Sequence, residues 1–373
     1  MKIGIDARLI NQSGIGRYTR NLIKHLQAMD KKNEYVLFVL ERDYENLKSK
    51  ISNLRSQIVR TNTHWHSIDE QIKFPSIINH ENLDLMHFSY FSVPVFYKKP
   101  YIVTIHDLII DHFPTGKASS LPLAIYYFKR MAYKFVTAKV TSDAKKIIVP
   151  SNATKDELIQ HYKVPKEKIN VIYEGIFDDS DAGESAEKID VKDYFLYVGN
   201  AYPHKNLEKL IEAFIMFIRK KDKYPSLVLA GRKDYFYDKL KDFVKKYGET
   251  GKHIIFMGEV SDSELKSLYR NARALVTASQ MEGFGLTALE AMSLKCVVLS
   301  SDIASLHEIC QDCCIYFDPN DIVDIKKKLD MLYNLEQKKL DDLKQKGFER
   351  SKNFSWDKMA VETIKIYESS VGI

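Results

Sequence analysis

Short apolar runs alternate with helically spaced apolar residues along this chain, and the whole alternation occurs twice. It begins with the apolar run at residues 2–6, which is followed at helical spacing by Ile15, Tyr18, Leu22, Ile23 and Leu26. After a break the pattern restarts at residues 195–198. Strands that alternate with helices form parallel sheets covered by helices on both faces. The 373 residues therefore predict an α/β fold with two doubly wound parallel sheets.

The break between the halves is an acidic segment with few core-forming residues, and it predicts the domain boundary. We expect a first domain over residues 1–178, a linker over 179–193 and a second domain over 194–354. Helix starts are predicted at Ser151 or Asn152, and at Ser261, which has Glu264 three residues later as in a capping box. Strands are predicted at residues 35–40, 84–88, 101–105, 146–149 and 169–173, and then at 195–198, 227–230, 254–257, 274–278 and 296–299.

Charge is distributed unevenly between the two halves. Residues 1–178 hold 26 Lys and Arg against 18 Asp and Glu, a net charge of +8, whereas the remainder holds 30 against 32, a net charge of −2. A basic half indicates an anionic partner: a phosphorylated substrate, a nucleic acid or an anionic membrane face. The basic residues match no named nucleic-acid motif and lack an aromatic stacking signature, so we expect no nucleic-acid partner.

The N-terminal residues and the cysteines indicate a cytoplasmic protein. Asp6 and Arg8 stand where a signal peptide needs an apolar run, and no stretch approaches the ~20 consecutive apolar residues of a membrane span. Four cysteines in this length do not make a disulfide framework. We interpret Cys310, Cys313 and Cys314 as half-buried thiols, because no second pair of ligands follows at zinc-finger spacing.

The strongest chemical signal follows the strand predicted at residues 274–278, in the kind of loop where open α/β sheets bind ligands. Gly283 and Gly285 allow a tight turn whose amides can face an anion, and the N-terminus of a helix predicted from Leu286 adds a favourable dipole. Glu282 precedes the turn and Glu290 lies inside the helix, so the two carboxylates can contact different parts of one extended ligand. From the pattern alone, a buried structural Glu290 and a surface Glu282 are an equally good interpretation.

The segment EGFGLTALE, residues 282–290, resembles the glutamate–seven–glutamate motif of the retaining glycosyltransferases of GT-B architecture, in the large family 4 grouping. Further segments follow that family's order over nearly the whole chain, namely DARLINQSGIGRYTRNLIKHL, TIHDL, VPSNATKDEL, YEGI, LYVGNAYPHKNLEKLIEAF and LAGRKDY. The chain is most similar to mannosyltransferase-like enzymes of surface polysaccharide and O-antigen assembly. The resemblance implies two Rossmann-like domains facing across a cleft, with a C-terminal helix at about residues 355–373 packed on the first domain.

The resemblance also implies roles for the residues around this motif. Glu290 would bind the ribose of a nucleotide sugar, and Glu282 would act on the donor sugar as a catalytic residue. The amides that would hold the donor belong to Gly283, Phe284, Gly285 and Leu286.

The diphosphate of the donor needs positive charge, and the resemblance assigns this role to Lys205 as a catalytic residue. An exposed loop lysine is the structural alternative. The family carries an Arg where Asn200 stands in the donor-binding loop, and commonly another where His204 stands. We therefore expect the neutralisation of the diphosphate either to be weaker or to be shared with Arg232.

In the first half, Gly14 and Gly16 are predicted to form a loop after the first strand, where a donor phosphate or the acceptor can approach the backbone closely. Both glycines serving only a turn is the alternative. Arg17 beside them is a candidate acceptor-side contact for an anion. The resemblance implies that His106, at the end of a predicted strand, faces the donor sugar as a catalytic residue; a histidine hydrogen-bonded in a loop is the alternative.

We expect no metal site. Two histidine-containing groups were considered and set aside because neither completes a ligand set of known spacing: one near residues 106–112 with His106, Asp107, Asp111 and His112, and one formed by His64 and His66 on a shared strand face. Asp179 and Asp181 form an Asp-x-Asp string, but it lies in the predicted linker rather than after a strand.

Residues 117–146 are rich in lysine, arginine and aromatic residues and hold one acid, Asp143. A basic helix with aromatic residues suits an anionic membrane surface. A helix with one core face and one solvated basic face is an equal alternative. Membrane docking would place the protein at the inner face of the cell membrane.

Together these features predict a metal-independent, cofactor-free retaining glycosyltransferase. It would move a hexose, with mannose as first choice, to a glycan or a polyprenyl-diphosphate-linked acceptor; GDP-mannose is the first choice of donor and a UDP sugar the second. The alternative is a degenerate nucleotide-sugar- or glycan-binding subunit of a polysaccharide assembly complex, favoured only by Asn200 and His204. A dehydrogenase is excluded because the loop SGIGRYT lacks the full G-x-G-x-x-G pattern.

Overall fold

The computed structural model describes residues 1–12, 14–45, 47, 56–113, 123–177, 191–219 and 224–371. The chain divides into two compact units. The first unit comprises Met1–His112, Leu123–Gly175 and Phe354–Ile373, and the second comprises Phe113–Pro122 and Ile176–Asn353. Most of the predicted linker, including Asp179 and Asp181, lies outside the described residues.

The first unit is built on a parallel sheet of seven strands in the order β3-β2-β1-β4-β5-β6-β7. The strands are β1 (Lys2–Asp6), β2 (Glu34–Leu40), β3 (Gln57–Thr61), β4 (Leu85–Phe88), β5 (Tyr101–Thr104), β6 (Lys146–Val149) and β7 (Ile169–Val171). The helices between them are α1 (Gly14–Met29), α2 (Ile68–Ile72), α3 (Phe74–His80), α4 (Ile109–His112), α5 (Leu123–Asp143) and α6 (Asn152–Tyr162).

The second unit repeats the plan with a parallel sheet of six strands in the order β10-β9-β8-β11-β12-β13. The strands are β8 (Tyr194–Val198), β9 (Ser226–Ala230), β10 (Ile254–Gly258), β11 (Ala274–Thr277), β12 (Val298–Ser301) and β13 (Ile315–Phe317). The helices are α7 (Leu207–Ile218), α8 (Tyr235–Lys245), α9 (Asp262–Asn271), α10 (Leu286–Ser293), α11 (Ala304–Cys310), α12 (Ile322–Tyr333) and α13 (Gln337–Ser351), and the chain ends in α14 (Trp356–Val371).

Both faces of each sheet are buried, which explains why the strand sequences are continuous apolar runs. In β2 every residue after Glu34 is buried, because helices cover both sides of the sheet. Two hydrogen-bonded caps confirm the predicted helix starts: the Ser151 side chain accepts from the amide of Thr154, and Ser261 and Glu264 form a reciprocal capping box. Each unit has its own apolar core around its sheet.

The last helix, α14, belongs to the first unit. The Nδ1 atom of His25 on α1 lies 2.7 Å from Oδ1 of Asp357, and the hydroxyl of Tyr367 reaches the buried ring of His87. The backbone at the start of α14 passes close to Gly175. A Cβ atom at position 175 would lie 2.3 Å from the backbone nitrogen of Trp356. A side chain at position 175 would therefore displace the start of α14.

Several local predictions were wrong. The sequence analysis missed strands β3 and β13. Both are edge strands of their sheets, where a strand needs fewer apolar residues than a central strand does. Strand β12 begins at Val298 rather than residue 296, because the amide of Cys296 instead donates to the carbonyl oxygen of Ala291 at the end of α10. His64 and His66 do not share a strand face: they follow β3, and His66 adopts a φ of 58°.

The basic segment 117–146 is not one helix. In its described part, α5 ends at Asp143, and strand β6 begins at Lys146. None of the helices in the described part of the chain has the length and apolar character needed to cross a bilayer.

Candidate active site

The strand order of the second sheet reverses between β8 and β11, which lie side by side at its centre. The loops that leave the carboxyl ends of such neighbouring strands diverge and leave room for a ligand. The loop after β8 carries Lys205, in a single 3₁₀ turn, and the loop after β11 carries Glu282. The fold therefore positions two of the predicted catalytic residues at one sheet edge.

Lys205 and Glu282 form a close ion pair at this edge. The Nζ atom of Lys205 donates to Oε1 of Glu282 at 2.7 Å and to Oε2 at 2.9 Å, and the Ser279 hydroxyl donates to Oε1 at 2.6 Å. The two charged side chains are only 17% and 16% exposed. Lys205 is thus not a freely solvated loop lysine, and its charge is held in place by defined partners.

One hydrogen bond joins the two loops, and another ties the loop of Lys205 to the segment after β13. The amide of Gln280 donates to the carbonyl oxygen of His204 at 2.8 Å, and the side-chain amide of Asn206 donates to the carbonyl oxygen of Pro319 at 2.7 Å. Asn206 adopts a left-handed φ of 60°, which turns the chain from the Lys205 turn into α7. These contacts restrict the position from which Lys205 can act on a ligand.

The local electrostatics keep Glu282 charged and His204 neutral. Burial alone would raise the pKa of Glu282, but the Lys205 ammonium and the Ser279 hydroxyl outweigh it, so the pKa lies below the ordinary value. Burial, reinforced by the charge of Lys205, lowers the pKa of His204 to about 4. At neutral pH Lys205 is therefore the cation of this cluster.

The turn into α10 depends on Gly285. Gly285 caps the helix with a φ of 100°, and a Cβ atom there would lie 2.5 Å from Cδ2 of Leu306. Both the backbone conformation and the packing thus require glycine. Gly283 precedes the buried Phe284, and Leu286 is the first helical residue.

Glu290 lies on α10 and is buried, with 3% of its surface exposed. The hydroxyl of Tyr269 donates to its Oε2 atom at 3.2 Å. The structure thus places the second glutamate of the motif inside the protein, bonded to α9, whereas Glu282 lies beside Lys205.

The remaining predicted residues of the second unit lie on the neighbouring loops. The side chain of Asn200 accepts from the amide of Tyr202, so it closes a local turn. Arg232 is exposed after β9. Its charge acts on Tyr202, whose pKa is nevertheless raised by burial and by Asp234. Within the described part of the chain, Arg232 forms no hydrogen bond or ion pair with Lys205 or Glu282.

In the first unit, His106 lies two residues beyond β5 with both ring nitrogens facing oxygen atoms. Its Nε2 donates to the carbonyl oxygen of Ser89 at 3.0 Å, and its Nδ1 lies 3.5 Å from Oε1 of the buried Glu174. The ring of Tyr18 packs edge-on against it, with centroids 4.8 Å apart. Glu174 was not predicted as a site residue, although it belongs to the quoted segment YEGI after β7.

Gly14 and Gly16 do not form a loop; they lie in the first turn of α1. A Cβ atom at Gly16 would lie 2.5 Å from the carbonyl oxygen of Ile10, so this glycine is required for packing of the helix on the preceding loop. A Cβ atom at Gly14 would meet nothing within 4 Å, which leaves its backbone open to a ligand. Arg17 is half-buried in the same turn.

A buried ionic cluster lies next to this helix start and was missed by the sequence analysis. Arg8 bonds both carboxylate oxygens of Asp6 and reaches Oε1 of Glu70 at 2.6 Å, while the Ser92 hydroxyl also donates to Glu70. The cluster holds the loop between β1 and α1. An arginine two residues after an aspartate at a strand end was its only sequence signal.

The candidate metal ligands of the sequence analysis do not meet. Asp107 accepts from the amide of Ile109, and Asp111 accepts from the hydroxyl of Tyr162. The described residues hold one other group at ligand distance, formed by His112, Glu157 and His161. Cys310, Cys313 and Cys314 are free and buried rather than half-buried.

Known structures define the class to which this arrangement belongs. Sucrose-phosphate synthase from Thermosynechococcus elongatus aligns with a TM-score of 0.75 at 19% identity, over 99% of this chain and 98% of its own. Anabaena HepE in complex with UDP and glucose aligns with a TM-score of 0.75 at 14% identity, over 99% of this chain and 100% of its own. The fold is therefore that of GT-B glycosyltransferases.

Sequence comparisons give the family. The model of glycosyl transferases group 1 matches residues 180–350, and that of glycosyltransferase family 4 matches residues 12–179. The O-antigen chain mannosyltransferase RfbU of Salmonella typhimurium is 30% identical over 273 residues, covering 73% of this chain and 70% of the relative. An uncharacterized glycosyltransferase of Methanocaldococcus jannaschii is 30% identical over 308 residues, covering 79% and 77%. The chain belongs to the group 1, family 4 glycosyltransferases.

Proposed function

We propose that this glycosyltransferase moves mannose from GDP-mannose to a glycan or polyprenyl-diphosphate-linked glycan, with retention of anomeric configuration and without a catalytic metal. A UDP sugar is the second choice of donor. The observation that carries the proposal is the Lys205–Glu282 pair beside the glycine turn of α10. The similarity to O-antigen chain mannosyltransferases of Salmonella and Escherichia coli supports mannose as the sugar.

The donor would be bound by the second unit. The Lys205 ammonium and the N-terminal amides of α10 supply positive charge for a diphosphate. Glu282 would accept hydrogen bonds from sugar hydroxyls, for which its ionised carboxylate is suited. Glu290 would bind the ribose. To do so, its carboxylate would give up part of its hydrogen bonding with Tyr269 and accept hydrogen bonds from the ribose diol instead.

In the transfer itself, the bond between the anomeric carbon and the diphosphate oxygen breaks, and the acceptor hydroxyl attacks from the same face. The proton of that hydroxyl passes to the departing phosphate oxygen, so no separate base is needed. Lys205 would stabilise the negative charge that grows on the leaving group. A preorganised charge of this kind contributes about 3 kcal/mol to lowering the barrier, which supports chemistry without a catalytic metal.

The first unit would bind the acceptor. Gly14 offers open backbone at the start of α1, and Arg17 lies in the same helical turn. His106 is oriented by Ser89 and Glu174, which fixes the face that the ring presents.

We further propose that α5 docks the enzyme on an anionic membrane, where a polyprenyl-linked acceptor is found. Phe128, Met131 and Phe135 follow one another at helical spacing and are 74%, 71% and 63% exposed. Lys129 and Lys134 are exposed on the same helix, while Tyr133 packs into the core. An apolar exposed face flanked by lysines favours a membrane surface over a solvated one.

A thermal-shift screen tests the donor. GDP, UDP, ADP and dTDP and their common sugars are each added with and without magnesium. A ligand at 100 times its Kd stabilises by about 2.7 kcal/mol, so the matching nucleotide raises the melting temperature visibly. We expect GDP and GDP-mannose to do so equally with and without magnesium, and NMR of the product to show the anomeric configuration of the donor.

The outcomes separate the alternatives. A rise in melting temperature with UDP compounds alone would show that the donor is a UDP sugar rather than GDP-mannose. Binding without transfer to any glycan acceptor favours a subunit that has lost catalysis, and no shift at millimolar ligand contradicts the proposed donor site. An inverted product contradicts same-face attack.

A further inference from the structure

His112, Glu157 and His161 bring two imidazoles and one carboxylate together on the surface of the first unit. His112 ends α4, and the other two residues lie four apart on α6, which places them on one helix face. The Nε2 atom of His112 contacts Oε2 of Glu157, and Nε2 of His161 lies 3.5 Å from that same oxygen. One ligand atom from each residue lies within 4.8 Å of the others.

The packing beside this group fixes α4 against α6 independently of the three side chains. Asp111, adjacent to His112, accepts a 2.7 Å hydrogen bond from the hydroxyl of Tyr162, adjacent to His161. The hydroxyl of Tyr133 donates to the same carboxylate oxygen of Asp111 at 3.3 Å. The two helix ends that carry the histidines are therefore already held together, so ordering the ligands costs little further entropy.

The chemistry of the donor set selects the kind of ion. Two imidazole nitrogens and one carboxylate oxygen suit zinc and neighbouring transition metals, whereas magnesium and calcium prefer oxygen alone. Bond lengths of about 2.0–2.2 Å to a tetrahedral zinc ion place its ligand atoms about 3.3 Å apart. The three ligand atoms lie within 4.8 Å of one another, so binding would require the side chains to rotate toward the ion. The side chains are 34%, 26% and 42% exposed, which leaves a fourth position open to water.

We propose that His112, Glu157 and His161 form a binding site for one divalent transition-metal ion of the zinc class. The bound ion would link α4, which leaves the carboxyl end of β5 shortly after His106, to α6. The role is structural: the ion would stabilise this part of the first unit, whereas the Lys205–Glu282 pair lies in the second. The proposal stands independently of the donor and acceptor proposed above.

Calorimetric titration tests the site directly. The full chain, without a polyhistidine tag and after dialysis against a chelator, is titrated with zinc chloride at neutral pH. We expect one equivalent of zinc per chain, and a loss of affinity of at least about tenfold in each of H112A, E157Q and H161A, because each removes one of three ligands. Zinc should raise the melting temperature of the wild type and not that of H161A.

His307→Ala is the matched control. The Nε2 atom of His307 lies 2.6 Å from Oδ1 of Asp302, and the His307 side chain is 46% exposed. It is thus a histidine–carboxylate pair outside the proposed ligand set, and H307A should bind zinc like the wild type.

Three results would overturn the proposal: no saturable zinc binding by the wild type, unchanged affinity in H161A, or a sulfur ligand in the X-ray absorption spectrum of the zinc-bound protein. A sulfur ligand would assign the metal to cysteine thiols instead. Circular dichroism of the zinc-free variants checks their folding, which these surface substitutions should leave intact.

Discussion

The Nζ atom of Lys205 lies 2.7 Å and 2.9 Å from the two carboxylate oxygens of Glu282, although 77 positions separate the residues in the chain. The pair joins the loops that leave two neighbouring strands, β8 and β11. The pair positions the Lys205 charge at the carboxyl ends of these strands. The hydrogen bond from Ser279 and the loop contact between Gln280 and His204 help to keep the pair in place. Four predictions follow from this and from other named contacts.

Replacing either member of this pair should abolish most transfer. We expect Lys205→Ala and Glu282→Ala to lower kcat at saturating donor by about 10²–10³-fold, since each removes a preorganised charge. Initial rates with a matched donor and acceptor measure the effect. Lys209→Ala is the control, because Lys209 bonds the carbonyl oxygen of Asn320 and should be dispensable. Near-normal turnover in K205A or E282A, with folding intact by circular dichroism, would refute the assigned roles.

Gly285→Ala should destabilise the second unit more than Gly248→Ala does. Both glycines have left-handed φ, 100° and 54°, so both substitutions carry backbone strain of about 1–2 kcal/mol. Only at Gly285 does the new Cβ also collide with Leu306, at 2.5 Å, which adds about 1–3 kcal/mol of overpacking. Urea unfolding measures both variants. Equal losses would show that Leu306 moves aside without cost.

The buried histidines should make the protein lose stability as the pH falls. Burial, with the charge of Lys205, lowers the pKa of His204 to about 4, and burial lowers that of His87 to about 3. Unfolding restores ordinary values near 6.5, so below that pH the unfolded state binds more protons than the folded state. The stability present at pH 7 is therefore lost progressively from about pH 6.5 down to each folded-state pKa.

His204→Asn isolates one of these groups, because Asn keeps a polar side chain at this buried position but does not titrate. The slope of unfolding free energy against pH between about 6 and 4.5 should fall by about 1.4 kcal/mol per pH unit. Urea unfolding at a series of pH values gives that slope. An unchanged slope would show that His204 titrates alike in the folded and unfolded states.

Vesicle binding should depend on the exposed face of α5. Changing Phe128, Met131 and Phe135 together to Ser should weaken flotation with anionic vesicles by about tenfold or more, because it removes the apolar surface that enters the interface. The control changes Ile68 and Ile72 to Ser; they are 78% and 69% exposed, but on a helix that carries acids. Equal loss in both variants, or no salt-sensitive binding by the wild type, would contradict docking through α5.

Much of the fold was predictable because parallel strands buried on both faces must be apolar throughout. Strands such as β1 and β6 begin and end at the predicted residues, and α10 begins at Leu286. Ser151 and Ser261 cap their helices because a cap depends on residues three positions apart. Edge strand β3 was missed, since its side chains need less apolar character.

The site was predictable as a set of loops but not as a set of contacts. Because loops after parallel strands meet at one edge, Glu282 and Lys205 could be assigned to the same region from the pattern and the family resemblance. Their direct pairing depends on β8 lying beside β11. Likewise, no local pattern joins His106 to Glu174, whose carboxylate arrives from the end of β7.

The amino-acid sequence by itself determined the alternation of strands and helices, the caps and the glycine turn, because each depends on interactions between residues close in the chain. Tertiary structure alone decided that Glu290 is buried against Tyr269, that Gly16 packs on Ile10, and that His112 meets Glu157 and His161. These outcomes follow from strand order and helix docking, which bring distant residues within bonding distance and cannot be read from local periodicity.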